Sequence, residues 1–177
     1  MNIRITDKHI TVGEWITLPM EREKLTKILD KYNHEIKIEK FNLPFMLTAQ
    51  DIYLHEINDT LIRLSTLDLS SSKINMLYDV IDKVEEQNEG NREWREATKI
   101  IVNGSYKIIE LPVINKEGSK SDIAKYLYTN GYIKKEIDIS PSVYDYIDWT
   151  LIWDVCSLEG WTKYYDVITG YTYAVRV

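Results

Sequence analysis

The sequence has a single cysteine, Cys156, among its 177 residues, so no disulfide can form within the chain. A lack of disulfides agrees with a reducing compartment. No run of about 18 apolar residues occurs, which is the length that a transmembrane helix needs. The first 15 residues alternate between polar and apolar and do not form the apolar core of a signal peptide. We therefore expect a globular, cytoplasmic protein.

An excess of positive charge is also absent. The chain carries 22 basic and 28 acidic residues, a net charge of −6 and a pI near 5.2. This balance argues against a protein that binds nucleic acid through a general basic surface. The charges are segregated, with 5 basic and 11 acidic residues in 51–96, 7 and 3 in 97–135, and 1 and 7 in 136–166. Two acidic blocks therefore flank a basic one.

The local motifs of several enzyme classes are missing. The chain has no GxGxxG, no Walker phosphate loop and no GxSxG turn. His9, His34 and His55 fall in three different predicted elements without metal-ligand spacing. Cys156 has no CxxC partner and is interpreted as a small buried hydrophobe. Composition leaves a glycosidase-type carboxylate pair open, but no pair is set apart in an apolar stretch. We predict that the protein is not an enzyme and uses no cofactor or metal.

The N-terminal part alternates between strand and helix signals. NIRIT at 2–6 and TVGEWITL at 11–18 are rich in β-branched residues and predict two strands. Pro19 is expected to open a helix that runs to about Tyr32. EIKIEKF at 35–41 alternates again. These patterns predict a small β-β-α-β unit.

The middle of the chain has helical periodicity. Thr48 and Asp51 are spaced as a capping box for a helix that reaches about Leu67. Three serines then break the pattern before a second helix, which Gly90 is expected to end. A short third helix stops at residues 103–104. Together they predict a small helical bundle.

The C-terminal part returns to mixed signals. A strand is predicted at 105–114, a helix at 122–129 capped by Ser121, and a β-hairpin around the Thr-Gly pair at 169–170. The fold class is therefore α+β, with an elongated arrangement of three small subdomains in series. Their predicted bounds are 1–60 (N-terminal α+β), 61–104 (helical bundle) and 105–177 (C-terminal α+β).

The stretch SVYDYIDWTLIWDV is predicted to form one helix, with Ser140 as N-cap and Pro141 at the first helical position. Trp149 and Trp153 are four residues apart on it, and the helix is apolar nearly all round. Such a helix must be buried on more than one side. An internal core and a subunit interface both remain open as explanations.

An acidic stripe runs along the second helix of the middle part. At about 100° per residue its carboxylates fall within roughly an 80° arc, opposite an apolar side. The acidic side consists of Asp79, Asp82, Glu86 and Glu89, and the apolar side of Leu77, Ile81 and Val84. For this helix taken alone, the pattern favours a solvated face over a binding surface.

Several motifs in the same order resemble the ArdA-type antirestriction proteins. They are GEWITLP at 13–19, NLPF at 42–45, the helix beginning DIYLHEIN at 51–58, and the terminal SDIAKYLYTNGY…YIDW…LEGWTKYYDVITGYTYAV. The resemblance covers nearly the whole chain. It implies three parts in series, of which the C-terminal one pairs two copies.

The resemblance also implies a function. Members of the family are DNA mimics that occupy the DNA groove of type I restriction-modification enzymes, so this chain is expected to act on such an enzyme as a homodimer. Carboxylates at 79, 82, 86 and 89 would repeat about every 5 Å along a helix, against about 3.4 Å per charge on a DNA strand. The carboxylates assigned to this role, the mimic carboxylates, are Asp79, Asp82, Glu85, Glu86, Glu89, Glu93, Glu96, Asp138, Asp145, Asp148, Asp154 and Glu159.

The pairing surface is assigned to aromatic residues of the C-terminal part, namely Tyr144, Tyr146, Trp149 and Trp153. Lys83, Arg92 and Arg95 alternate with the central carboxylates and could pair with them at i,i+3 or i,i+4 spacing. The alternative function is a non-catalytic homodimeric regulatory or scaffold protein of a mobile genetic element.

Overall fold

The computed structural model describes residues 1–7, 13–32, 35–47, 53–87, 93–112, 119–133 and 139–177, with only the backbone described at 85–87. The protein is α+β, as predicted, and the described residues form two three-stranded antiparallel sheets. It divides into two compact units, Met1–Asp79 with Arg92–Asn103 and Val80–Asn91 with Gly104–Val177. The division into three parts at residues 60 and 104 is a different partition and stays a prediction.

The first unit contains the N-terminal sheet, in which β1 (Asn2–Asp7) lies between β2 (Gly13–Thr17) and β3 (Ile36–Asn42). All three predicted strands are confirmed over their described residues. Ile3 and Ile5 on β1 are fully buried, which explains the alternation of the sequence.

Helix α1 (Arg22–Lys31) begins three residues later than predicted. The backbones of Met1 and Leu18 exchange two hydrogen bonds, so the pairing of β1 with β2 continues to Leu18. The Met20 N–H donates to Asn58 Oδ1 at 2.8 Å, and the Met20 carbonyl accepts from Asn58 Nδ2 at 2.9 Å. The backbone groups of Met20 are thus used by a distant side chain, and the helix starts after it.

Three helices follow: α2 (Leu54–Ser65), α3 (Ser71–Gln87) and α4 (Trp94–Val102). The helical periodicity predicted for this stretch is confirmed in α2, because Leu54, Ile57, Leu61 and Leu64, which share one side of the helix, are buried. The predicted capping box at Thr48 and Asp51 and the predicted helix end at Gly90 lie outside the described residues.

The second unit contains the C-terminal sheet, in which β6 (Thr172–Arg176) lies between β4 (Lys107–Glu110) and β5 (Trp161–Tyr165). The predicted hairpin is confirmed, with Tyr164 opposite Tyr173. Strand β4 is shorter than the predicted 105–114.

Helix α5 (Lys120–Thr129) is confirmed, but its cap is Ser119 and not Ser121. The Ser119 Oγ accepts from the Asp122 N–H at 3.1 Å, and the Asp122 carboxylate accepts from the Ser119 N–H at 3.3 Å. This reciprocal capping box fixes the start of the helix two residues earlier than predicted.

The predicted single helix after Ser140 is wrong. Residues Pro141–Tyr146 form a 3₁₀-helix, Ile147 is extended, and α6 (Trp149–Leu158) begins anew. Asp148 caps α6, since its Oδ1 accepts from the N–H groups of Thr150 at 3.0 Å and Leu151 at 3.4 Å. The Asp148 side chain therefore starts a separate helix inside the apolar stretch.

Candidate functional site

The acidic stripe lies on a helix whose opposite side is buried. Leu77 and Ile81 of α3 are buried, whereas Asp79 is exposed and Asp82 is half-buried. Glu85 and Glu86 fall within the backbone of α3, but their side chains are outside the description, as is all of Glu89. The described part of the helix therefore has the two sides that the sequence predicts.

Of the three basic residues that alternate in sequence with the central carboxylates (Lys83, Arg92 and Arg95), two contact groups outside the acidic stripe. The Lys83 ammonium lies 5.6 Å from the centroid of the Tyr164 ring. The Arg95 guanidinium binds Glu56 through two hydrogen bonds of 2.8 and 2.7 Å and covers the Trp94 ring at 4.5 Å. Arg92 lies outside the described residues. Arg95 thus makes its shortest ion pair with a carboxylate that does not belong to the stripe.

The carboxylates of α4 are exposed and paired. Glu93 Oε2 lies 3.6 Å from Arg95 Nη1, and the Glu96 carboxylate contacts the Lys99 ammonium. Surface ion pairs of this kind contribute only about 0–1 kcal/mol, so a stronger cationic partner can replace Lys99 at Glu96.

The C-terminal carboxylates fall into two groups. Asp145 lies 3.3 Å from Lys125, and Asp148 accepts the N-cap bonds of α6. Asp154 and Glu159 are exposed and have no ion-pair partner among the described residues. Asp138 lies outside the description. The two unpaired carboxylates are therefore on α6 and at its C-cap.

The predicted pairing aromatics are mostly internal. Trp149 and Trp153 are only 5% and 3% exposed and lie in the core of the second unit. Tyr144 is half-buried and packs edge-to-face on Trp149. Tyr146, by contrast, is 88% exposed. The burial of both tryptophans needs no second copy of the chain.

The sequence predicted a helix that is apolar nearly all round, but it assigned pairing to the aromatic residues and not to the opposite face of α6, which is exposed. Leu151, Val155 and Leu158 are 62%, 57% and 90% exposed, and we call them the α6 apolar face. Their i, i+4, i+7 spacing is the same as that of Trp149, Trp153 and Cys156, which form the buried face. The period alone does not distinguish the two faces.

Cys156 is buried within this core, as predicted. Burial raises the pKa of its thiol above the ordinary value, and the nearby Glu159 carboxylate adds to the increase. A thiol that keeps its proton is a poor nucleophile.

The described residues contain no cluster of three metal-ligating side chains. Over the same residues, no helix is long and apolar enough to cross a membrane.

A comparison with models of known protein families finds no match, and neither the curated proteins nor the solved structures contain a match to this chain.

Proposed function

We propose that the protein is an antirestriction protein that acts as a DNA mimic on a type I restriction-modification enzyme in the cytoplasm. The observation that carries the proposal is the exposure of the mimic carboxylates. Of those with described side chains, Asp82 is half-buried and seven are exposed: Asp79, Glu93, Glu96, Asp145, Asp148, Asp154 and Glu159. The ordered motifs that resemble the ArdA-type proteins support the same function.

The mechanism is competition for a cationic groove. An enzyme that binds DNA places Lys and Arg side chains where phosphates lie. Carboxylates on a rigid helix can occupy those positions, and they speed up association because opposite charges steer the encounter. Asp154 and Glu159 meet this requirement best, since no cation of the described chain has to be displaced from them. The action proposed is binding without catalysis.

A charge-neutralised variant tests the proposal. The double substitution Asp154→Asn with Glu159→Gln should raise the concentration needed to inhibit DNA cleavage by a type I enzyme by roughly fivefold or more. The estimate takes about 0.5 kcal/mol for each lost ion pair. The matched control is Glu21→Gln with Glu23→Gln, which removes the same charge from two exposed residues outside the mimic carboxylates.

The control should inhibit as well as the wild-type protein, and sedimentation should show the same assembly for all three. Equal inhibition by the neutralised variant would argue against a role for α6. Absence of inhibition by the wild-type protein would favour the alternative, a non-catalytic homodimeric regulatory or scaffold protein of a mobile genetic element.

Pairing of two copies is part of the proposal. The support for it is the α6 apolar face, because three exposed aliphatic side chains lie together on one helix face and exposed apolar patches often mark protein–protein contacts. Tyr146, the exposed member of the predicted pairing residues, lies shortly before the same helix.

A further inference from the structure

A cleft lies beside helices α2 and α4 of the first unit. Its volume is about 660 Å³, which is within the range of small-molecule sites, roughly 300–1,000 Å³. Its walls include His55 and Asp59 from α2 and Trp94 and Lys99 from α4. Of the residues that line it, the mimic proposal uses only Glu96.

Part of the cleft wall is fixed by contacts that do not need a ligand. The Trp94 ring stacks on Phe45 with centroids 4.6 Å apart, and Arg95 covers the ring. Arg95 is held by its two hydrogen bonds to Glu56. A wall held in this way is organised before binding, which reduces the entropy lost when a ligand enters.

The cleft also contains charges that are not neutralised locally. Arg22, from the first turn of α1, and Arg63, from the last turn of α2, are exposed and line it. Neither has an ion-pair partner within the part of the chain that the structure describes, and the same holds for Asp59. Two arginines suit a phosphate monoester, which carries a charge of about −1.5 to −2. The Asp59 carboxylate, which only accepts, suits ligand hydroxyl groups.

From this combination we propose that the cleft binds a small phosphorylated sugar. Arg22 and Arg63 hold the phosphate, and Asp59 accepts from sugar hydroxyls. Inorganic phosphate would contact only the two arginines, and a neutral sugar would lack the contact with them.

Titration of the full-length protein with ribose 5-phosphate, inorganic phosphate and ribose tests the site. Calorimetry should give at least tenfold tighter binding for ribose 5-phosphate than for either fragment. The assigned side-chain N–H resonance of Arg63 should shift during the same titration. Equal affinity for ribose 5-phosphate and inorganic phosphate, or an Arg63 resonance that does not move, would overturn the proposal.

Variants of two charged lining residues, the exposed Arg63 and the half-buried Asp59, separate the parts of the site. Arg63→Gln should weaken ribose 5-phosphate binding by about tenfold or more, and Asp59→Asn should lower the preference for ribose 5-phosphate over inorganic phosphate. The matched control is Arg176→Gln, which removes an exposed arginine of the second unit. An effect of Arg176→Gln as large as that of Arg63→Gln would show general charge attraction and contradict a built site. These outcomes do not depend on restriction activity, so the mimic proposal stands or falls separately.

Discussion

Asn58 joins helix α2 to the chain segment before α1 through a single side chain. It is fully buried, and its amide makes two hydrogen bonds to the backbone of Met20, 38 residues earlier. Replacement of Asn58 by Ala leaves both backbone groups without these partners. We expect Asn58→Ala to lower the free energy of unfolding by about 2–4 kcal/mol, as measured by urea denaturation.

The control for this change is Asn42→Ala, which alters an exposed asparagine at the end of β3 and should change the free energy by less than about 0.5 kcal/mol. A similarly small effect at Asn58 would contradict the role assigned to its amide. The sequence does not reveal this contact, because Asn58 lies beside the apolar stripe of α2 and its partner is a backbone group. A pattern of side chains contains no information on which backbone groups lack partners.

At the scale of single elements, α6 gives the clearest prediction. If the α6 apolar face joins two copies, Leu151→Asp or Val155→Asp places a carboxylate in an apolar contact. An unpaired buried charge is unfavourable by several kcal/mol. Each variant should therefore raise the dimer dissociation constant by about 100-fold or more, as measured by sedimentation equilibrium.

Ile168→Asp is the matched control, because Ile168 is as exposed as Leu158 but lies between β5 and β6. It should leave the dimer intact. A monomeric wild-type protein, or a dimer that tolerates both α6 substitutions, would refute pairing through this face. Substitution of Trp153 is a poor test, since its burial in the core couples pairing to folding.

The elements that the sequence predicted well are those with one clear apolar side. The strands β1 and β3, which alternate over most of their length, and the helix α2, with its single apolar stripe, were confirmed. The stretch from Pro141 to Leu158 was predicted less well because apolar residues occupy nearly every side of it. There a polar cap, Asp148, decides where the helix begins, and tertiary packing selects the tryptophan face as the inner one. The start of α5 likewise depends on one polar residue. Ser119, and not Ser121, caps the helix because Asp122 lies three residues after Ser119, which is the spacing of a capping box.

For the whole molecule, the segregated charge predicts a dependence of enzyme binding on salt. If the mimic carboxylates take the place of phosphates, the affinity for a type I enzyme, measured directly without DNA, should fall as the salt concentration rises. For DNA, the logarithm of the binding constant falls with the logarithm of the salt concentration by about 0.9 per phosphate contact. The fall should be less steep for this protein, because a folded protein carries no dense layer of condensed counterions to release. The Asp154→Asn, Glu159→Gln variant should give a still shallower slope, and the Glu21→Gln, Glu23→Gln control the wild-type one. A wild-type affinity that does not change between low and high salt would mean that contacts other than these carboxylates hold the complex.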